Sequence, residues 1–148
     1  MNKSVGRLVS VLYRKNQVYL DIALRAYNIT ASEVAFITAL YRKDGINQEL
    51  LSQTLNIDKA ATAKAIKSLE TKGYVYRTKN ASDRRANMIF ISEYALSQKQ
   101  GIFQELGKWT DFLTRDIEAD KVETMFEVLN RMVEHLEKGF LPVCDDEI

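Results

Sequence analysis

Apolar positions in the middle of the chain recur at helical spacing and are separated by a polar turn. Leu51 and Leu55 lie one helical turn apart and anchor a short helix, with Asn56 supplying the turn that follows. Asp58 is placed to cap a second helix, which runs over residues 59–72. The pattern therefore predicts a helix-turn-helix.

A β-hairpin is predicted directly after the second helix. Gly73 stands at a position suited to a left-handed helix C-cap. Residues 74–79 are rich in β-formers, and residues 87–91 form a second such run after the polar turn at residues 82–85. A helix-turn-helix followed by a hairpin with a basic tip is typical of proteins that bind DNA.

Long helical patterns flank this unit on both sides. Residues 5–27 are apolar on more than one face, which indicates a helix buried on two sides. The run Thr30-Ala31-Ser32-Glu33 is a capping-box signature that opens a further helix, which should stop near Gly45. After the hairpin, residues 93–113 continue as a long helix, and apolar positions over residues 122–140 form a stripe on the last one.

Together these elements predict one domain over residues 1–148, mainly α with a small β-hairpin wing. The expected architecture is a winged helix-turn-helix with long N- and C-terminal dimerisation helices. The winged part covers about residues 30–92, and the dimerisation helices cover about residues 5–28 and 93–141. Because the first helix needs partners for its apolar faces, we expect a homodimer built from both chain ends.

Charge is segregated along the chain, although the formal net charge is only +1. Residues 59–85 contain eight Lys or Arg against two acids, whereas residues 116–148 contain ten acids against three Lys or Arg. Screening limits the reach of each charge to roughly 8 Å at physiological salt, so a local basic face can bind phosphates in a nearly neutral protein. The acidic end should face away from DNA.

The composition, 46% hydrophobic and 28% charged, is ordinary for a soluble protein. The apolar run near the N-terminus is too short for a signal sequence or a membrane span, so we expect a cytoplasmic protein without membrane contact. Cys144 is the sole cysteine and His135 the sole histidine, which leaves no metal-ligand spacing. Because a Gly-rich phosphate loop and a nucleophile beside a base are also absent from the sequence, we predict neither enzymatic activity nor a cofactor.

The order and spacing of these motifs resemble the MarR family of winged-helix transcriptional regulators, and the likeness covers most of the chain. The matching positions are Ile46-Asn47-Gln48, Leu51, Leu55, Ile57-Asp58-Lys59, the run from Leu69 to Val75, Asp83-Arg84-Arg85 and Ile91-Ser92. Two positions depart from the family pattern at the junction between wing and helix. Ser92 stands where threonine is usual, and Ala95 stands where glycine is frequent.

On this resemblance, the second helix is the recognition helix, and a step of about 100° per residue separates its two faces. Thr62, Ile66 and Leu69 turn inward. The predicted DNA-facing residues of this helix are Lys59, Ala60, Ala61, Lys64, Lys67 and Ser68. Alanine methyls can contact thymine methyls, and Lys64 can reach a guanine or a phosphate, so we expect modest direct readout and more reliance on DNA shape. The alternative for the alanines is high helix propensity alone, and for the lysines a solvated face.

The resemblance assigns the basic hairpin tip to the minor groove. Arg85 occupies the position at which the family inserts an arginine, and Asp83 is placed to orient a guanidinium across the turn. Arg77, Lys79 and Arg84 are expected to contact phosphates, which position the protein without specifying sequence. The alternative is a charged hairpin tip that only maintains solubility.

The resemblance also implies a small aromatic or anionic effector in the cleft between the dimerisation helices and the winged part. The candidates are Tyr13, Arg14, Tyr41 and Trp109, because an aromatic floor with a guanidinium can hold a planar carboxylate. The alternative is that these aromatic residues belong to the core. Cys144 lies in an acidic tail that discourages thiolate formation, so we predict no redox switch there.

The resemblance therefore implies a dimeric repressor of a pseudopalindromic operator on double-stranded DNA, released by the effector. A protein-docking module built on the same winged helix, without sequence-specific DNA binding, is the alternative function. The lysines on the recognition helix and the arginines on the wing favour DNA binding. A docking module does not require basic residues grouped on one side of the winged helix.

Overall fold

The chain is mostly helical with a small antiparallel sheet, which confirms the predicted fold class. The structure, a computed structural model, describes residues 3–79 and 87–139 and has two compact units, residues 1–109 and residues 110–148. The helices are α1 (Val5–Ala23), α2 (Ala31–Arg42), α3 (Gln48–Leu55), α4 (Lys59–Thr71), α5 (Glu93–Thr114) and α6 (Ala119–Glu137). The strands are β1 (Ile46–Asn47), β2 (Val75–Lys79) and β3 (Asn87–Ile91). The unit boundary falls within α5.

The predicted helix boundaries between residues 28 and 73 are confirmed by the capping groups. The Glu33 carboxylate accepts from the backbone N–H of Thr30 at 2.9 Å, which forms the carboxylate half of the predicted capping box. Asn56 is left-handed at the end of α3, and Asp58 accepts from the N–H of Ala61 at 2.8 Å at the start of α4. Gly73, with φ of +81°, ends α4 as predicted.

The sheet has one more strand than the sequence analysis predicted. The hairpin of β2 and β3 is present, with Arg77 opposite Ile89. Ile46 and Asn47, which the sequence analysis placed in the helix-turn-helix segment, form β1 and pair with β3 on its other edge. A two-residue strand is too short to give an alternating pattern, so only its tertiary partner reveals it.

The core of the first unit lies between α2, α3, α4 and the sheet. Its fully buried side chains include Phe36, Ile37, Leu40, Leu51, Ile66, Leu69, Tyr74, Ile89 and Ile102. The three recognition-helix residues predicted to face inward are all buried to 0% exposure, and they are Thr62, Ile66 and Leu69. The recognition helix is thus held by one apolar face, which leaves its opposite face for solvent or a ligand.

The junction between wing and α5 forms despite the two departures from the family pattern. The Ser92 hydroxyl donates to Gly73 O at 2.6 Å and accepts from the N–H of Ala95 at 3.1 Å, so this serine caps α5. Ala95 is completely buried. Gly101, six residues further along α5, faces the Tyr27 ring so closely that a β-carbon there would collide with the phenol.

The first helix differs from its prediction of burial on two sides. It ends at Ala23, and a separate 3-10 turn covers Arg25–Tyr27. Every residue from Val5 to Lys15 is exposed, and the buried contacts of α1 begin only at Leu20. Within the single chain, the apolar N-terminal half of α1 therefore has no burial.

In the second unit, α6 carries the predicted apolar stripe. The stripe residues Phe126, Leu129, Val133 and Leu136 are spaced three or four apart and are exposed. No helix among the described residues has the length and apolar character that crossing a membrane requires.

Candidate nucleic-acid interface

The exposed face of the recognition helix α4 carries a basic ridge. Ala60, Lys64, Lys67 and Thr71 follow one another at helical spacing, and all four are exposed. Lys64 and Lys67 make no ion pair with any of the residues that the structure describes. Lys59 at the start of the helix is 3.4 Å from Glu49, but both side chains are largely in water. Such exposed pairs are weak, so the ammonium of Lys59 stays available to a phosphate.

Ser68 does not face outward as predicted. It is half-buried, and its hydroxyl donates to Glu33 Oε1 on α2 at 2.5 Å. Ala61 is exposed, but it lies on the same side of α4, towards α1 and α2, where it lines a groove with Ser68. The assumed 100° step is correct for both residues; what the sequence could not show is that α2 covers this flank.

Glu33 and Lys72 form an ion pair between α2 and the end of the recognition helix. Lys72 Nζ lies 2.9 Å from one Glu33 carboxylate oxygen and 3.0 Å from the other. Glu33 is only 3% exposed and Lys72 18% exposed. Lys72 was counted in the basic segment, but Glu33 neutralises its charge inside the protein, and Lys72 therefore does not belong to the exposed ridge.

The environment of Glu33 favours its ionised form. Burial alone raises the pKa of this carboxyl, but hydrogen bonds from Ser68, Lys72 and the Thr30 N–H, together with the charge of Lys72, outweigh burial. The pKa of Glu33 therefore lies below its ordinary value. The capping box had identified Glu33 as a local cap, and its long-range partners were missed because they lie 35 and 39 residues away.

Arg77, predicted to contact a phosphate, is instead engaged within the protein. Its Nε donates to Glu70 of α4 at 3.2 Å, and its NH1 donates to Gln48 of α3 at 2.8 Å. The Arg77 side chain is 27% exposed. Gln48 and Glu70 lie in stretches that match the family pattern, but sequence reasoning gave neither residue a role. Only the packing of β2 beside both helices brings the three residues together.

The wing tip lies outside the described residues, and with it the predicted contacts of Asp83, Arg84 and Arg85. The backbone of Lys79 ends β2, but its side chain also lies outside the description. The two predicted strands that lead to the tip are present and pair with each other, with Lys79 opposite Asn87. Cys144 likewise falls outside the described residues.

The four effector candidates do not come together in one site. Tyr13 and Arg14 are exposed on α1. Tyr41 packs against the core, donates to Ala95 O at 2.5 Å, and has its pKa raised by burial to about 12. Trp109 stacks on Tyr19 with ring centroids 5.0 Å apart. The core alternative thus describes Tyr41 correctly.

A groove of about 960 Å³ lies between α1, α2 and α4. Its lining includes Tyr13 of α1, Phe36 of α2, and Lys64 and Lys72 of α4, while the other three effector candidates are not part of it. Asp21 also lines the groove, and its carboxylate accepts from the N–H of Ala31 at 2.8 Å. One wall of this groove is therefore the recognition helix itself.

Metal chemistry finds no support in residues 3–79 and 87–139, where no group of three or more His, Cys, Asp and Glu is placed to hold an ion. What these residues offer is an exposed basic helix face next to a β-hairpin, which suits a polyanion.

Comparison with known proteins gives a consistent result. The MarR family model matches residues 29–86, which span α2, the helix-turn-helix and β2, and the match ends just before β3. A MarR transcriptional regulator from Methanosarcina mazei Go1 is 34% identical in its crystal structure, which superposes with a TM-score of 0.88 over 90% of this chain and 96% of that one.

Two further matches are more distant. A Listeria monocytogenes protein described as a MarR family transcriptional regulator, solved in complex with a 26mer DNA, superposes with a TM-score of 0.84 at 20% identity, covering 91% of this chain and 90% of that one. YdgJ of Bacillus subtilis (strain 168), an uncharacterized HTH-type transcriptional regulator, is 28% identical over 104 residues. That alignment covers 70% of this chain and 63% of YdgJ, less than two thirds of the relative's length.

Proposed function

The chain belongs to the MarR family, and from that premise we propose that it is a dimeric repressor that binds a pseudopalindromic operator on double-stranded DNA. It is a transcriptional regulator of this family, and the Listeria structural relative was solved with DNA. The observation that carries the proposal is the basic ridge of α4. Lys64 and Lys67 are exposed there, beside the small side chain of Ala60, while the opposite helix face is buried in the core.

This ridge suits the major groove of DNA. The exposed ammonium groups of Lys64 and Lys67 can reach phosphates or guanine edges, and the small Ala60 lets the helix approach the bases closely. Arg85 in the wing is proposed to enter the adjacent minor groove, where a narrow A·T-rich stretch has enhanced negative potential. Because few side chains on the ridge can make bidentate base contacts, DNA shape should contribute much of the specificity.

A homodimer is proposed because two helices expose apolar stripes. On α1, Leu8 and Leu12 lie one turn apart and are exposed, as are Val5 and Val9 beside them. A contiguous apolar surface of this kind on a soluble chain marks an interaction site. A second copy of this chain is the proposed partner. It would supply the second recognition helix that a two-fold symmetric operator requires.

Binding of DNA is the first expected result. In a selection from random duplexes, the parent chain should enrich pseudopalindromes with half-sites about one helical turn apart. Affinity should fall steeply with added salt, because each phosphate contact releases counterions. Lys67→Ala should weaken binding to all sequences about equally and reduce the salt slope by about 1.

A protein that enriches no sequence under any condition, or binds DNA without salt dependence, would contradict the proposal. In that case the docking-module alternative becomes the better description. Lys43→Ala removes the same charge from an exposed position outside both the ridge and the dimerisation helices, so it serves as the matched control and should bind like the parent.

We also propose that a small aromatic or anionic effector releases the operator. The groove supports this, because Lys64 supplies a positive charge and Tyr13 supplies an exposed aromatic ring. Since α4 forms one wall, a ligand with higher affinity for a displaced recognition helix would shift the protein away from DNA.

Titration with salicylate should therefore lower operator affinity, and the effect should weaken in Tyr13→Ala. Trp109 fluorescence and anisotropy of labelled operator are to be followed in the same titration. Fluorescence quenching without any loss of operator affinity would show that the ligand binds but does not regulate.

A further inference from the structure

We propose that Arg77 is a positioning residue for DNA binding, which holds the base of the wing against both helices of the helix-turn-helix. This inference rests on the proposed DNA-binding function and changes the role of Arg77 from a phosphate contact to an internal bridge. Its partners Glu70 and Gln48 then become part of the DNA-binding machinery without touching DNA.

The geometry joins three elements through one side chain. Arg77 projects from β2, its Nε donates to Glu70 Oε2 of α4 at 3.2 Å, and its NH1 donates to Gln48 Oε1 of α3 at 2.8 Å. Gln48 is the first residue of α3, and Glu70 lies in the last turn of α4. A guanidinium is planar and presents its donors in a fixed fork, so two acceptors on different helices define its orientation.

The contacts of Arg77 with Glu70 and Gln48 lie between the end of α4 and the tip of the wing. The chain leaves α4 through Gly73, whose φ of +81° makes an abrupt turn into β2. Backbone bonds from Ser92 and Tyr74 close this junction at one end of the strand. Arg77 lies two residues further out than Val75, towards the wing tip, and ties the middle of β2 to the helices.

The orientation of the wing matters because a winged helix contacts two grooves at once. If the recognition helix and the wing are misaligned by a small angle, only one of them can reach its groove at optimal distance. A binding site is precise when other residues of the protein hold the contacting elements rigidly in place. Arg77 supplies such support while its own charge is balanced by Glu70.

Glu70 offers a test in which positioning and plain electrostatics have opposite signs. An acid near a phosphate-binding face repels DNA, so its removal should strengthen binding if Glu70 does nothing else. If Glu70 holds Arg77 and the wing, its removal should weaken binding. Glu49 is the matched control, because it is also an acid of the helix-turn-helix and its pair with Lys59 is exposed.

The experiment compares Glu70→Ala and Glu49→Ala on the selected operator. We expect Glu70→Ala to lower affinity about tenfold, since hydrogen bonds between charged groups are among the stronger polar contacts. Glu49→Ala should bind as tightly as the parent or more tightly. Alanine has the best helix propensity, which limits the cost of either change to its helix, although Glu49→Ala also removes a favourable charge from the first turn of α3. Thermal unfolding curves should have midpoints well above the temperature of the binding assay, which confirms that both variants are folded during that assay.

Arg77 itself gives a second, independent readout. Arg77→Met should lower affinity with the salt slope unchanged, whereas loss of a phosphate contact reduces the slope by about 1. Arg77→Lys should not restore affinity, because an ammonium cannot reproduce the fork that joins Glu70 and Gln48.

Tighter or unchanged binding by Glu70→Ala, or rescue by Arg77→Lys with a reduced slope in Arg77→Met, would overturn the inference and leave the proposed function intact. A parent chain that binds no duplex would overturn both, and this is seen before any variant is compared.

Discussion

Lys72→Met is expected to lower the free energy of unfolding by about 3 kcal/mol at neutral pH, because it leaves the Glu33 carboxylate buried without its counter-ion. Glu33 is 3% exposed, and both of its oxygens accept from Lys72. The estimate takes the low end of the range for broken buried pairs, since Lys72 retains some contact with water. Urea unfolding at a fixed protein concentration measures the difference.

The loss should depend on pH in a defined direction. The folded pKa of Glu33 lies below its ordinary value, so this group stabilises the parent above the ordinary glutamate pKa of about 4.3 and loses that effect as pH falls through the folded pKa. In Lys72→Met the carboxyl protonates at higher pH. The difference in the free energy of unfolding between the parent and Lys72→Met is therefore largest at pH 7, and it becomes smaller as pH falls towards about 4.

The exposed pair of Lys59 with Glu49 provides the control. Lys59→Met removes the same charge at the other end of the same helix, but its partner stays in water. It should change the free energy of unfolding by less than about 1 kcal/mol. Equal losses in Lys59→Met and Lys72→Met would show that the Glu33 pair has no special stabilising role.

Leu12→Glu is expected to weaken dimerisation by more than about 100-fold, because a carboxylate on the apolar stripe of α1 would be buried without a partner. The parent should sediment as a dimer of two 17.0 kDa chains. Leu12 is 48% exposed in the single chain, so the substitution costs little in an isolated protomer. Any folding defect must therefore come from loss of the partner.

Gln53→Glu on the exposed face of α3 adds the same charge outside the dimerisation helices and should remain dimeric. Removal of the chain from Val122 onward deletes most of α6 and should cause aggregation or unfolding. A Leu12→Glu variant that remains as dimeric as the parent, or a truncation that is a soluble monomer with native helical content, would contradict the proposed dimer interface.

Local signals in the sequence predicted the helix-turn-helix and hairpin well. Asp58, Asn56 and Gly73 act on backbone groups within a few residues, and the structure has each of them in its expected role. Hydrophobic spacing also predicted correctly that Thr62 and Ile66 face inward. These features are decided by short-range hydrogen bonds and by side-chain periodicity, which a sequence displays directly.

The same reasoning failed where a residue has a distant partner. Ser68 and Arg77 have the residue types and spacing of DNA contacts, yet Glu33 and Glu70 occupy their polar atoms. Tyr41 has the character of a ligand-binding aromatic residue, but its hydroxyl is bonded to Ala95 O, 54 residues away. Nothing in the local sequence around these residues indicates a partner so far along the chain.

The sequence by itself determined the order of the α-helices and the hairpin, the inward face of the recognition helix and the placement of Lys64 and Lys67 on its exposed face. Only the tertiary structure decided which basic residues remain free for DNA, because ion pairs such as Lys72 with Glu33 form between helices that fold together. Charge counts along a chain treat every lysine and arginine as equal. Packing makes these residues unequal, because a cation within 3 Å of a buried carboxylate is neutralised by it and is not available to DNA.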